Sequence, residues 1–249
     1  MTGSPPNEID WLRNFIQESS RIVVFTGAGI STESGISDYR SKGGIWDRFQ
    51  PVTIQEFLAD EEKRREYWRR KKKMYAEMRE AQPNAGHLAI VRLEKQGKLV
   101  GVITQNIDGL HQKAGNQKVL ELHGTNREVI CLTCGRNDPF DPVYERLLAG
   151  EEMPLCLHCG GLLKPNTISF GQALDPDVLN LAVTWARSSD LMLTVGSTLI
   201  VEPAASLPRL AKRSDTKLVI INRDPTPLDS LADFVLRGTA GPLLEKAIF

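Results

Sequence analysis

Apolar positions along this chain follow two periods. Short, nearly continuous apolar runs occupy residues 22–25, 99–104, 119–122, 191–195 and 217–221, and between them apolar residues return every third or fourth position. Runs of this length, rich in β-branched residues, suit strands buried on both faces, as in a parallel sheet, and the spaced pattern suits helices that cover it. The spacing predicts a first helix capped by Asn7, with Ile9, Leu12, Phe15 and Ile16 on one face. A helical stretch over about 54–81 carries the stripe Trp68, Met74, Tyr75 and Met78, and another opens at Pro83-Asn84 with Leu88, Ile90, Val91 and Leu93 on its apolar side and a stop at Gly97. Residues 167–170 read as a strand, Asp175-Pro176 as the start of a helix to Ser188, and Pro203 as the opening of one to Arg213. A strand near Phe234 and a helix from Pro242 close the chain.

Each apolar run is most informative at its carboxyl end. The first passes straight into Gly27-Ala28-Gly29, where missing side chains let backbone turn sharply and approach a ligand, and N–H groups after a strand make a phosphate site. Thr32 stands where the dinucleotide fingerprint G-x-G-x-x-G wants its third glycine, but the polar set Ser31, Asp38 and Arg40 favours a ligand loop over a plain turn. The second run delivers Gln105, Asn106 and Asp108, expensive as core and natural as a polar site. The third ends at His123-Gly124, and a histidine at a strand's carboxyl end stands where such sheets bind ligands. Gly196-Ser197 and Asn222 come after two later runs, so these strands all end in polar or glycine loops on one edge of the sheet.

Composition narrows the class. The chain has 249 residues, 41% hydrophobic and 25% charged, with Lys plus Arg and Asp plus Glu balanced at 31 each, so no global field argues for nucleic acid or a membrane. No apolar run approaches the roughly 20 residues of a membrane helix, and the N-terminus lacks the layout of a secretory signal, which leads us to expect a cytoplasmic protein. The run Arg69-Arg70-Lys71-Lys72-Lys73 reads as a solvated helix face beside acidic neighbours, or alternatively as a contact patch for an acidic partner. The only cysteines form two C-x-x-C pairs, Cys131/Cys134 and Cys156/Cys159, with 21 residues between the pairs. Without an export signal, these read as four ligands of one tetrahedral zinc before disulfides. The segment 126–164 has few long apolar runs, and its fold is expected to come mainly from the metal.

In this order, G-A-G-I-S at 27–31, T-Q-N-I-D-x-L-H at 104–111, L-H-G at 122–124, the two C-x-x-C pairs, F-G at 170–171, G-S-T-L at 196–199 and I-N at 221–222 make the chain resemble the sirtuins, NAD-dependent protein lysine deacylases, from about Trp11 to the C-terminus. The resemblance implies an α/β fold: a Rossmann-like parallel-sheet domain (1–40, 84–127 and 165–249) with an inserted smaller domain made of a helical part (41–83) and a structural zinc module (128–164). NAD would lie in the cleft between them. Gly27, Ala28, Gly29, Ser31, Asp38, Tyr39 and Arg40 match the cofactor loop, with Tyr39 near the nicotinamide ribose. Gln105, Asn106, Ile107 and Asp108 match the nicotinamide and ribose pocket, and Gly196, Ser197, Asn222 and Arg223 match positions that hold phosphates and adenosine, with Ala240 near the adenine. His123 matches the general base, and Asn106 and Asp108 would serve nicotinamide cleavage. In the implied chemistry the acyl-lysine amide oxygen attacks C1′ of the nicotinamide ribose and expels nicotinamide. His123 then helps a ribose hydroxyl attack the imidate carbon, and water completes the transfer to give lysine and O-acyl-ADP-ribose. The zinc, with four thiolates and no open position, is structural.

Ile168, Phe170 and Gly171 on one side and Leu199 and Val201 on the other match the edges that clamp an acylated-lysine peptide. Three positions depart from the family pattern: Ser37 stands for a common proline, Gln172 for an acid after F-G, and Ser169 for an aromatic residue. Members that remove succinyl or malonyl groups carry a Y-x-x-R pair on the helix lining the acyl tunnel. The corresponding Tyr75 is followed by Met78, with Arg79 rotated by about 100°, so neutral acyl groups are expected to be preferred. The competing readings are an NAD-dependent mono-ADP-ribosyltransferase, sharing pocket and base, and a zinc-ribbon nucleic-acid binder. Zero net charge and the absence of a basic cluster in 126–164 speak against the latter.

Overall fold

The computed structural model describes residues 7–38 and 50–248. In chain order it contains α1 (Glu8–Glu18), β1 (Ile22–Thr26), α2 (Ile54–Ala59), α3 (Glu61–Glu80), α4 (Ala85–Lys95), β2 (Leu99–Thr104), α5 (Leu110–Ala114), β3 (Val119–Glu121), β4 (Gly124–Cys131), β5 (Asn137–Pro139), α6 (Phe140–Leu148), β6 (Leu163–Thr167), α7 (Pro176–Ser188), β7 (Leu191–Val195), α8 (Ser206–Lys212), β8 (Lys217–Ile221), β9 (Phe234–Leu236) and α9 (Ala240–Ala247). Among the described residues no helix is long and apolar enough to cross a membrane.

Six strands form one parallel sheet in the order β3-β2-β1-β7-β8-β9. Chain order therefore reverses between β1 and β7, which puts the ligand crevice of a doubly wound sheet beyond the carboxyl ends of those two strands. β1 is buried along its whole length because both faces are covered. Ile22 and Val24 join α1, α4 and α9 in one apolar layer, and Val23 and Phe25 join α7 and α8 in the other. The predicted helix caps form as expected: Asn7 accepts from Asp10 N, and Asp175 accepts from Asp177 N and Val178 N.

The remaining strands make a separate antiparallel sheet, β5-β4-β6. The chain leaves the large sheet at Leu122-His123 and returns after Thr167, so His123 stands where one sheet hands over to the other.

The structure corrects several expectations from the sequence. The 54–81 stretch is two helices, because Asp60 adopts an extended conformation and caps the second through Glu62 N and Lys63 N. Leu88 is exposed rather than core-facing, and α8 begins at Ser206, past Pro203. Residues 168–170 are not strand: β6 occupies Leu163–Thr167, and beyond it Gln172 N donates to Ser169 O at 3.0 Å, closing a turn with Gly171 at φ 81°. The zinc module is not held by metal alone. Val129, Phe140, Val143, Leu147 and Leu163 form one apolar cluster with Phe57, Tyr67, Trp68 and Tyr75 of α2 and α3. The basic run is a solvated face only at Arg69 and Lys73, which are exposed. Arg70 pairs with Glu66, Lys71 Nζ donates to Thr167 Oγ1 at 3.3 Å and Lys72 Nζ to Leu147 O at 2.7 Å, so α3 is tied to the module it covers.

Candidate functional site

At the carboxyl ends of β1 and β7 lies a cleft that is open to solvent at its mouth. Its floor is backbone against backbone. Gly29 N donates to Gly196 O at 2.8 Å, a Cβ on Gly29 would sit 2.8 Å from Gly196 Cα, and one on Gly196 (φ 61°) would sit 2.4 Å from Ile30 N. The glycines thus let the β1 and β7 loops interlock, with Gly27 N donating to Val195 O at 3.1 Å and Gly196 N to Ile221 O at 2.9 Å. Gly27, Ala28, Asp38, Asn222, Arg223 and Ala240 also line this cleft. So do Thr32, Thr198, Asp224 and Thr239, none of them named as a site residue from sequence: Thr198 is the inner residue of G-S-T-L and Thr32 replaces a fingerprint glycine, while no motif marks Asp224 or Thr239. Arg223 reaches Asp38 at 4.0 Å across the mouth. Tyr39 and Arg40 lie outside the described residues.

The loop after β2 supplies the polar wall. Asn106 Nδ2 donates to Gly27 O at 3.1 Å and Ser31 Oγ at 3.2 Å, and Ser31 Oγ donates onward to Asp108 Oδ2 at 2.7 Å. Burial raises the Asp108 pKa against the lowering effect of the Leu110 N–H and Ser31 hydroxyl bonds, so its ionised form depends on those donors. Gln105 Nε2 donates to Ser197 Oγ at 2.7 Å and joins this loop to the one after β7. Ser31, Ile107 and Asp108 sit behind the cleft wall: Ile107 is buried with Ile36, Met78 and Leu110.

His123 faces the same cleft, with Nδ1 at 2.9 Å from Gln105 O. A carbonyl can only accept, so Nδ1 carries the proton and the lone pair is on Nε2. Gly124 comes next at φ 70°, and a Cβ there would lie 2.1 Å from Asn166 O. The Gly at that position is what lets the strand carrying the histidine close on β6.

Two further histidines lie beneath the site. His87 and His111 are buried, with ring centroids 4.9 Å apart and His111 Nε2 3.0 Å from Thr26 Oγ1. Burial lowers His87 to about 4, and burial followed by the charge of His87 lowers His111 to about 3. Both are bases whose folded pKa lies below the unfolded value, so their stabilising neutral form is complete above about pH 6.5 and penalises the fold as pH falls toward 4. Each should cost about 2 kcal/mol by pH 5. Denaturant unfolding at pH 7 and pH 5 should show this loss, and the His87→Leu protein should lose less over the same interval. An unchanged pH slope in that variant would contradict the assignment.

At the outer rim, Phe170 is exposed, its carbonyl accepts from Ile54 N at 3.0 Å, and Gln55 abuts Gly171. Ile168 is partly buried. Opposite, Val201 lines the cleft, but the Leu199 side chain is buried in the core beside α7 and α8, so only its backbone is available as an edge. Ile200, 59% exposed, presents its side chain there instead. Tyr75 is also displaced from its expected place. Its ring packs on Phe140 at 4.2 Å, and its hydroxyl donates to Asp141 at 2.8 Å, inside the helix–module core. Arg79 is held 3.7 Å from Asp141 and from Glu145.

The four cysteine sulfurs all lie within 4.8 Å of one another, with Cys131–Cys159 at 3.5 Å and Cys134–Cys156 at 4.0 Å. Zinc–sulfur bonds of about 2.3 Å in a tetrahedron imply sulfur separations near 3.8 Å, whereas a disulfide needs about 2 Å. The donor set therefore fits one zinc. Burial raises the Cys131 thiol, but N–H groups of Cys134 and Thr133 and neighbouring sulfurs outweigh it and bring it to about 6. A thiolate there is ready for a cation.

A family model described as the Sir2 family matches residues 27–203. An NAD-dependent protein deacetylase of Thermodesulfovibrio yellowstonii is 46% identical over 94% of this chain and 91% of its own. A solved Sir2 structure with deacetylated p53 peptide and 3′-O-acetyl ADP ribose superposes with a TM-score of 0.91 at 35% identity, over 97% of this chain and 100% of that one. A Sir2 homologue in complex with NAD gives 0.87 at 36% identity, over 99% and 94%.

Proposed function

The chain belongs to the Sir2 family, and we propose from that premise that it removes neutral acyl groups from protein lysines, consuming NAD, releasing nicotinamide and passing the acyl group to ADP-ribose. The observation that carries the reading is the His123 imidazole, its Nδ1 held by Gln105 O, lining a cleft at the switch point of the sheet.

We assign the phosphates to the loops at Gly27–Gly29 and Gly196-Ser197, the adenosine end to Asn222, Arg223 and Ala240, and the nicotinamide end to Gln105, Asn106 and Asp108. NAD supplies the electrophilic ribose carbon and the hydroxyl that receives the acyl group. The protein holds and shields. Asn106, fixed by Gly27 O and Ser31 Oγ, presents its amide beside the reacting centre, and Asp108, fixed by Ser31 and Leu110 N, presents a carboxylate. His123 Nε2 accepts the ribose hydroxyl proton, and the Gln105 carbonyl stabilises the imidazolium through Nδ1–H. The acyl-lysine peptide would enter extended between 168–171 and 199–201. Four cysteines grouped for a metal rather than joined as disulfides fit a reducing compartment, which supports a cytoplasmic site of action. Release of nicotinamide that depends on added acetyl-lysine peptide tests the reading, and release with NAD alone at the same rate would count against it.

The acyl preference gains a different basis from the one the sequence suggested. Both Tyr75 and Arg79 are committed to Asp141, so neither serves an acyl carboxylate, and Lys71 donates to Thr167 Oγ1. Acetyl and longer neutral groups should therefore exceed succinyl in kcat/KM on one peptide sequence. A succinyl value above every neutral one would overturn this.

A further inference from the structure

The interior of β6 holds a lysine. Lys164 is fully buried, and its ammonium donates to the carbonyls of Pro165, at 3.0 Å, and Thr167. A second ammonium, that of Lys71 on α3, donates to Thr167 Oγ1 at 3.3 Å and lies 5.5 Å from the centre of the Tyr67 ring, whose hydroxyl is 3.5 Å from the same Oγ1. Among the described residues neither ammonium is paired with a carboxylate. Burial lowers Lys71 to about 8, and burial together with the charge of Lys71 lowers Lys164. Two near-neighbour amines in an apolar interface are expensive, and a pair of methionines would fill the same space more cheaply.

What the expense obtains is legible in where the bonds converge. Every one of these hydrogen bonds except that to Pro165 falls on Thr167, the last residue of β6. Thr167 pairs with Gly124 across the small sheet, and the next N–H, of Ile168, donates to the carbonyl of His123 at 2.8 Å. From there the chain leaves the sheet as 168–171, one edge of the peptide cleft. Thr167 is thus the junction between the histidine strand and that edge. Its carbonyl, which no further strand pairing serves, is held by Lys164.

We propose that Lys164, assisted by Lys71, is a positioning residue for the extended acyl-peptide: the two amines clamp Thr167 and so fix the 168–171 edge relative to His123. This rests on the deacylase reading above but assigns work to residues that touch neither NAD nor the reacting atoms. A lysine that merely glued α3 to the module would weaken every ligand alike. The clamp weakens the peptide selectively.

The test measures the affinity of a fluorescent acetyl-lysine peptide and, separately, of ADP-ribose for the full-length parent, Lys164→Met, Lys164→Arg and Lys71→Met proteins. Lys164→Met should weaken peptide about tenfold and ADP-ribose less than twofold. Lys164→Arg, which keeps donors, should recover part of the peptide affinity, and Lys71→Met should weaken peptide a fewfold with ADP-ribose unchanged. Peptide affinity within twofold of the parent, equal losses for both ligands, or arginine no better than methionine would overturn the proposal. If Lys164→Met does not unfold cooperatively, the Lys71→Met split decides by the same criteria. A parent that binds no acetyl-peptide sinks the deacylase reading itself. A parent that binds peptide with variants that bind it equally sinks only the clamp.

Discussion

Replacing His123 by Ala is expected to slow peptide deacylation by a factor on the order of 10² or more while leaving ADP-ribose affinity within severalfold of the parent. The split arises from how the cleft is built. His123 contributes one imidazole, whereas the binding floor is backbone from Gly27–Gly29 and Gly196-Ser197, locked by the Gly29 N to Gly196 O bond. Removing the ring takes away the nitrogen proposed to accept the ribose proton but none of that floor. Asn106→Ala and Asp108→Ala should behave differently, because they loosen the Gly27, Ser31 and Leu110 contacts at the nicotinamide end and depress nicotinamide release itself. Single-turnover measurements of nicotinamide release and acyl transfer separate the two classes. Near-parent deacylation by the His123→Ala protein would show that another group carries the proton.

The second large effect concerns the metal. Purified protein should carry one zinc per chain, and Cys131→Ala should abolish its binding and unfold the β4–β6 module cooperatively. Cys131 and Cys156 are buried within the same cluster as Phe140 and Trp68, so the variant loses metal-binding free energy, typically many kcal/mol, and opens the core as well. Because β4 and β6 flank His123 and the 168–171 edge, peptide binding should fail with the module. The large sheet has two apolar layers of its own and should remain folded with the helices that cover it, so the loss in helical circular dichroism should be partial. Protein without stoichiometric zinc on elemental analysis, or a Cys131→Ala protein that melts like the parent, would contradict this.

Much of the large sheet was readable because its strands are buried on both faces and announce themselves as apolar runs: 99–104, 191–195 and 217–221 match the observed strands end to end. The polar loops after them were readable for the same reason, since Gln105, Asn106 and His123 interrupt an apolar context. The small sheet was hidden. β4 is half-exposed, and its run from Gly124 to Cys131 alternates with charged residues such as Arg127 and Glu128, while β6 contains Lys164 and Pro165. A strand whose stability comes from neighbours distant in sequence, here α3 and α6, leaves little local period to detect. The misplacement of Tyr75 has a related cause. The stripe on α3 is real, but nothing in the periodicity says which partner it faces, and the aromatic residues of α6 claimed it. Leu199 was drawn toward the cleft by its motif, whereas its positive φ of 54° turns the side chain into the core and exposes Ile200.

Deacylation and ADP-ribosyl transfer part company in a single reaction: one acetyl-lysine peptide, NAD and the zinc-loaded protein, with the masses of peptide and nucleotide products read together. The peptide should lose its acetyl group, O-acetyl-ADP-ribose and nicotinamide should appear in equal amounts, and omitting NAD should stop all three. A peptide or protein that instead gains the mass of ADP-ribose with its acetyl group retained would contradict the deacylase assignment.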